Sequence, residues 1–321
     1  MNSLKVRNTI TLALLTLGAA VTLVISATPA LAQASTTKSE TRSTSRWQWS
    51  DDGWSRKVEV QGKVQFNEEY SDVSSMSDDG YLELEEVHNG KTQRLEMRRD
   101  GSGKLVRKYF VNGESRELDA GARKWVADLL LLAVRQGAVD VENRVKTLLR
   151  QRGVQGTLEE ITSIQGDHGK RIYFQALLKT EGLSHSDRPK VLQAAAAQLS
   201  SDYEKANVLK NTAEVFLLDP ALGTVFFRTV PTIHSDYERR RVLSALLKQK
   251  TLSDPVLSLM FDAAASITSD YEKATFLLEA SRRYSGETRL RNTFLKVVET
   301  LKSDHERGRV LSALLKNGQI G

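Results

Sequence analysis

Ser201-Asp202-Tyr203-Glu204, Ser235-Asp236-Tyr237-Glu238 and Ser269-Asp270-Tyr271-Glu272, followed by the variant Ser303-Asp304-His305-Glu306, are the strings on which the reading of this chain turns. With Asp167 added, the aspartates fall 35, 34, 34 and 34 residues apart. A fixed period of that length marks stacked repeats, each a small unit that buries its apolar face only against its neighbours. The same apolar frame surrounds every aspartate. Three residues before it stand Ile164, Leu199, Ile233, Ile267 and Leu301. Six and seven residues after it stand Tyr173-Phe174, Val208-Leu209, Val242-Leu243, Phe276-Leu277 and Val310-Leu311. That spacing is the stripe of a core-facing helix. A second helix is expected near Asp187, Asp219, Asp254 or Gly286, with Pro220 and Pro255 just inside it, where first-turn geometry tolerates proline. Each unit is therefore a helical hairpin, and residues 165–321 form an array of them, with the single helix of the fifth unit as its cap.

The recurring string looks like a chemical signature, but local physics explains most of it. Serine at an N-cap and glutamate three residues later form a capping box, and acidic residues in the first turn suit the helix dipole. Ser201 with Glu204, Ser235 with Glu238, Ser269 with Glu272 and Ser303 with Glu306 are thus read as caps. The tyrosines have no such local duty. Tyr203, Tyr237 and Tyr271 recur at one position and should lie in a row, either packed between repeats or presented to a ligand. In the first unit Gly166, His168 and Gly169 replace Ser, Tyr and Glu, so a weaker cap and fraying are expected there.

Upstream the period changes. Asp119 reads as the N-cap of a helix with Trp125, Leu129, Leu130 and Val134 on one side and Gly137 at its end. Residues 119–164 are read as a helical junction and degenerate repeat. From 46 to 118 the apolar residues alternate: Val58 and Val60, Val64 and Phe66, Leu82 and Leu84, Leu95 and Met97, then Val106 to Val111. Asp78-Asp79-Gly80, His88-Asn89-Gly90, Asp100-Gly101-Ser102-Gly103 and Asn112-Gly113 supply the turns. This is a small antiparallel meander, with Trp47, Trp49 and Trp54 to cover an apolar face. Residues 33–45, nearly all Ser, Thr, Ala, Lys, Glu or Arg, read as a flexible tether.

The first 32 residues have the layout of a secretory signal: Lys5 and Arg7, an apolar run from Ile10 to Ile25, then Pro29 to Ala32. Cleavage is expected after Ala32, with an uncleaved membrane anchor as the alternative. The protein is accordingly expected outside the cytoplasm, in the periplasm or the medium, where nucleic acid is not its partner. Its net charge of +6 falls to +4 once Lys5 and Arg7 are removed, which favours anionic surfaces without naming one. The absence of cysteine excludes disulfides and thiolate metal sites.

No zinc-protease, nucleophile-elbow, phosphate-loop or EF-hand pattern is present, so no catalytic, cofactor-binding or metal-binding residues are assigned. His168 and His305 share a repeat position but sit four units apart, too far for one ion. The Asp51 and Asp78 turns are explained by hairpin geometry without calcium. Arg239, Arg240 and Arg241 form the most basic run of the array. If exposed together, they suit an acidic protein or an anionic envelope polymer.

The Ser-Asp-Tyr-Glu units, together with Gly80-Tyr81-Leu82-Glu83 and Tyr109-Phe110-Val111-Asn112-Gly113, resemble exported bacterial proteins that carry such repeats. They are also similar to the extracytoplasmic C-terminal regions of some membrane metallopeptidases of the beta-lactam-sensor type. The peptidase motif and membrane helices of those enzymes are missing here, so the resemblance implies a sensing or interaction module rather than a peptidase. The expected fold is α+β: an antiparallel β-meander followed by an α-α solenoid, HEAT-like or tetratricopeptide-like. The expected function is non-enzymatic recognition of a protein or peptide in the cell envelope. The alternatives are a hydrolase using Asp202, Asp236 and Asp270, and a structural spacer.

Overall fold

The computed structural model describes residues 35–39, 42–51, 53–249, 252–282 and 288–316. The signal-like segment and Gly286 lie outside them. The chain divides into two compact units, one running to Thr147 and including Ser163–Gly169, the other comprising Leu148–Thr162 and everything from Lys170 onward. The arrangement is α+β, an antiparallel sheet followed by a stack of helices.

The sheet is built from β1 (Ser35–Ser39), β2 (Arg42–Asp51), β3 (Trp54–Gln61), β6 (Tyr81–His88), β7 (Lys91–Arg99), β8 (Leu105–Val111) and β9 (Glu114–Arg116), in that order. Strands β4 (Val64–Phe66) and β5 (Val73–Met76) form a separate hairpin, so the expected simple meander is interrupted between β3 and β6. Strand pairing also reaches into the stretch read as a tether, because β1 and the start of β2 pair through their backbones with no apolar alternation to announce them. Register fixes the two faces. Trp47 lies opposite Val58, Val58 opposite Leu84, Leu84 opposite Leu95 and Leu95 opposite Tyr109, and all five are buried. One residue along, Arg46, Glu59, Glu83, Glu96 and Lys108 make the opposing charged row. Arg46 pairs with Glu59 at 2.8 Å and Lys57 with Glu83 at 2.7 Å.

Helix α1 (Ala120–Gly137) packs on the apolar side, with the Trp125 ring 5.8 Å from that of Tyr109. Asp119 caps it, accepting the Ala122 N–H at 2.8 Å. The helix ends at Gly137 as expected, but not through a left-handed glycine. Ala138 takes the left-handed position at φ 51°, while Gly137 is itself helical, and a Cβ there would lie 2.7 Å from the Trp47 indole. Its glycine answers a close approach rather than a turn. The β4–β5 hairpin is pinned by Tyr70, which is buried at φ 56° and donates its hydroxyl to Asp140 at 3.2 Å beneath the Arg144 guanidinium. Burial pushes both the Tyr70 hydroxyl and the Asp140 carboxyl up.

Helix α2 (Val141–Ser163) is interrupted at Gly153, where φ is 63°. The hairpins follow: α3 (Asp167–Lys179) with α4 (Arg188–Gln198), α5 (Asp202–Leu217) with α6 (Pro220–Thr229), α7 (Asp236–Leu247) with α8 (Asp254–Ala264), and α9 (Asp270–Ala280) with α10 (Thr288–Glu299). Then comes α11 (Asp304–Lys316). Helices α5, α7, α9 and α11 pack one on the next, and so do α4, α6, α8 and α10, giving two layers. Between them Phe216, Phe226, Phe261, Phe276 and Phe294 are fully buried, with Phe261 in edge contact with Phe276 and Phe294. The apolar residues that framed each aspartate in the sequence are buried, apart from Leu311, which is half-buried.

The first repeat departs from the others for a steric reason. Gly166 has φ 79°, and a Cβ on Gly169 would meet the Ile164 side chain at 2.9 Å and the Arg135 carbonyl at 3.2 Å. Serine and glutamate are therefore disfavoured at these two positions, whatever their merit as caps. No described helix is long and apolar enough to cross a membrane.

Candidate functional site

The repeated string gathers at the N-terminal ends of α5, α7, α9 and α11. The serine hydroxyls of Ser201, Ser235, Ser269 and Ser303 accept the N–H of Glu204, Glu238, Glu272 and Glu306 at 3.3–3.4 Å. At Ser235, Ser269 and Ser303 the reciprocal half of the expected capping box is replaced by another acceptor. The N–H of Ser235 goes instead to the Asp202 carboxylate of the preceding repeat at 2.8 Å, and that of Ser269 goes to Asp236 at 2.7 Å. Ser303 donates likewise to Asp270 at 2.7 Å. The residue before each serine donates to the same carboxylate: His234 to Asp202, Thr268 to Asp236 and Lys302 to Asp270.

A base three residues after each aspartate completes the tie. It lies on the same helix face and reaches 27 residues onward: Lys205 to the Thr232 carbonyl, Arg239 to the Ser266 carbonyl, Lys273 to the Thr300 hydroxyl. Each of these three links is thus held by an anion on its N–H groups and a cation on an oxygen of the preceding turn. Sequence reasoning took the aspartates for dipole partners; the signal for this second duty was the joint recurrence of Asp and a base at a spacing of three.

The electrostatics follow. Burial pushes the Asp202 and Asp236 carboxyls up, but the donated hydrogen bonds outweigh it and both end below the usual aspartate range. At Asp270 the N–H of Ser303, with that of Lys302, outweighs the opposing desolvation and lowers the carboxyl. These three carboxylates are each engaged in a separate link. Asp304, at the equivalent position of α11, is exposed and pairs with Arg307 at 3.2 Å.

The glutamates, freed from capping, take arginines. Arg171 meets Glu204 at 2.5 Å, Arg241 meets Glu238 at 2.9 Å, Arg309 meets Glu306 at 2.6 Å, and Arg240 pairs with Glu272. Burial nevertheless pushes the Glu238 carboxyl up. The basic run read from the sequence is therefore divided. Arg239 points inward to the carbonyls of Pro231, Ile233 and Ser266, while Arg240 and Arg241 lie over the rings of Tyr237 and Tyr203 at 5.2 and 4.7 Å.

What remains outward is the tyrosine row. Tyr203, Tyr237 and Tyr271 are 53%, 51% and 61% exposed, among the few large apolar side chains left in solvent. His305 continues the row and helps to line a groove of about 570 Å³ with Leu278, Gly308, Arg309 and Lys316. Among the described residues no group of three or more His, Asp or Glu side chains gathers in a way that could hold a metal ion. His185 and His234 stand beside Asp219 and Asp202 at 3.3 and 3.6 Å, each as a single pair.

No protein-family model, no curated protein and no solved structure matches the chain.

Proposed function

We propose that this chain is a non-enzymatic recognition module of the bacterial cell envelope, sensing or scaffolding through a protein or peptide partner that binds across the tyrosine row. The observation that carries the reading is the exposure of Tyr203, Tyr237 and Tyr271, each more than half in solvent, on a surface where every other member of the motif has a structural duty. Caps, ties and ion pairs account for Ser, Asp, Glu and the base; the rings of Tyr203 and Tyr237 also support Arg241 and Arg240, yet more than half of each tyrosine stays in solvent. Aromatic side chains beside arginine are the composition of binding surfaces. The signal-like N-terminus and the resemblance to extracytoplasmic sensor regions support the envelope setting.

The hydrolase reading needs carboxylates that converge and hold protons. Asp202, Asp236 and Asp270 occupy separate links and are lowered rather than raised, which counts against it. The test is capture from envelope extract with residues 33–321, parent against Tyr203→Ala/Tyr237→Ala/Tyr271→Ala, after circular dichroism has established that both fold. A partner held by the parent and lost by the folded variant is the expected outcome. Equal capture by both would remove the row from recognition.

A further inference from the structure

Resting on the reading of the tyrosine row as a recognition surface, we infer that its ligand is an extended acidic peptide segment in the polyproline II conformation, laid across α5, α7 and α9. Spacing carries the first step. Helices α5, α7 and α9 pack side by side and carry their tyrosines at one position, so the rings recur at the interhelical distance, about 8–10 Å. A polyproline II chain rises about 3.1 Å per residue with three residues per turn, which returns one side to the surface roughly every 9 Å. A β-strand returns a side chain to the same face after about 6.7 Å and falls out of step by the second ring.

Hydrogen bonding carries the second step. A polyproline II backbone has no internal hydrogen bonds, so its carbonyls are open to the tyrosine hydroxyls, whereas an α-helical ligand has spent its own. Proline rings stacking on aromatic rings is the physics of known grooves for such segments.

Charge carries the third. In three of the four ion pairs along the row the guanidinium is about twice as exposed as its carboxylate or more, 38% against 12% at Arg309–Glu306, and at Arg240–Glu272 the two are about equal. Two of these guanidiniums lie over tyrosine rings. A chain approaching this surface meets guanidinium before carboxylate, which favours acidic residues between its prolines.

Fluorescence anisotropy with the whole chain tests this, using labelled peptides of repeated Glu-Pro-Pro, Lys-Pro-Pro and Glu-Gly-Ser, and a polygalacturonate as competitor. Glu-Pro-Pro is expected to bind at least about tenfold more tightly than either other peptide. Each single Tyr→Ala change should weaken it about three- to tenfold. Tyr237→Phe, which keeps the ring beneath Arg240, should cost about threefold through the lost hydroxyl and serves if an alanine variant unfolds. Equal binding of Glu-Gly-Ser would overturn the conformational match, and equal binding of Lys-Pro-Pro would overturn the charge match. Affinity untouched by both Tyr237→Ala and Tyr237→Phe would overturn the site. Binding of the polyuronate without any peptide would replace the peptide with an anionic polymer. If the envelope capture depends on the tyrosines while no peptide binds, the recognition reading stands and the polyproline II ligand falls.

Discussion

Asp236 shows at the level of one residue how this array is held. A single oxygen accepts the N–H of Thr268 at 3.1 Å, the N–H of Ser269 at 2.7 Å and the Thr268 hydroxyl at 2.5 Å, while its other oxygen takes Arg239 at 3.0 Å. Asp236→Asn keeps the shape but turns a charged acceptor into a neutral one, and sets an NH2 group among donors in one of its two orientations. The expected loss is about 1–3 kcal/mol at neutral pH, read as a lower urea midpoint with an unchanged slope. Its pH dependence has a definite sign. The folded carboxyl sits below the unfolded one, so its stabilisation is complete above about pH 4 and is lost as pH falls through the folded value. The gap between the parent and Asp236→Asn should therefore be widest at pH 7 and narrow progressively as pH falls below about 4; a constant gap would mean that the charge is not what ties the repeats.

Elements in this chain are built on close approaches as much as on propensity, and two glycines separate the effects. Gly137 lies in the last turn of α1 against the Trp47 indole, so Gly137→Ala should destabilise the sheet unit by about 1–3 kcal/mol although alanine is the better helix former. Gly308, inside α11, has nothing within 4 Å of an added Cβ, so Gly308→Ala should stabilise by about 0.5–1 kcal/mol. Thermal melts followed by tryptophan fluorescence for the first and far-ultraviolet circular dichroism for the second check both signs. The same contrast explains what was legible beforehand. The helical hairpins and the alternating strands β3, β6 and β7 were readable because burial writes a period into the sequence. Strand β1 and the packing reason for Gly137 were not, because backbone pairing and one glycine against one indole leave no period. At the candidate site the serine caps and the tyrosine row were legible as local and recurrent features. The Asp202–Ser235 tie was not, since its partners lie 33 residues apart and look like neighbours only once the repeats are stacked.

Across the whole array the repeats alternate between two kinds. Ser235–Lys248 and Ser303–Lys316 differ only at Tyr237/His305 and Arg240/Gly308, while Ser201–Ala206 and Ser269–Ala274 are identical. The alternation has a physical reading. Glu238 and Glu306 are paired by arginines of their own helices, Arg241 and Arg309; Glu204 and Glu272 depend on arginines of the preceding repeat, Arg171 and Arg240. The unit of electrostatic self-sufficiency is therefore two repeats, 68 residues, rather than one of 34. Deleting residues 235–268 keeps the structural register, since Asp202 then faces the N–H groups of His234 and Ser269, but it removes Arg240 and leaves Glu272 without its guanidinium. Glu272→Gln should then act with opposite signs in the two backgrounds. In the intact chain it breaks an ion pair and destabilises by about 1–2 kcal/mol. In the shortened chain it relieves a part-buried, unpaired carboxylate and leaves stability unchanged or raises it. Urea unfolding of the four proteins measures this as a double-mutant cycle, and a loss of equal size in both backgrounds would make the single repeat the true unit.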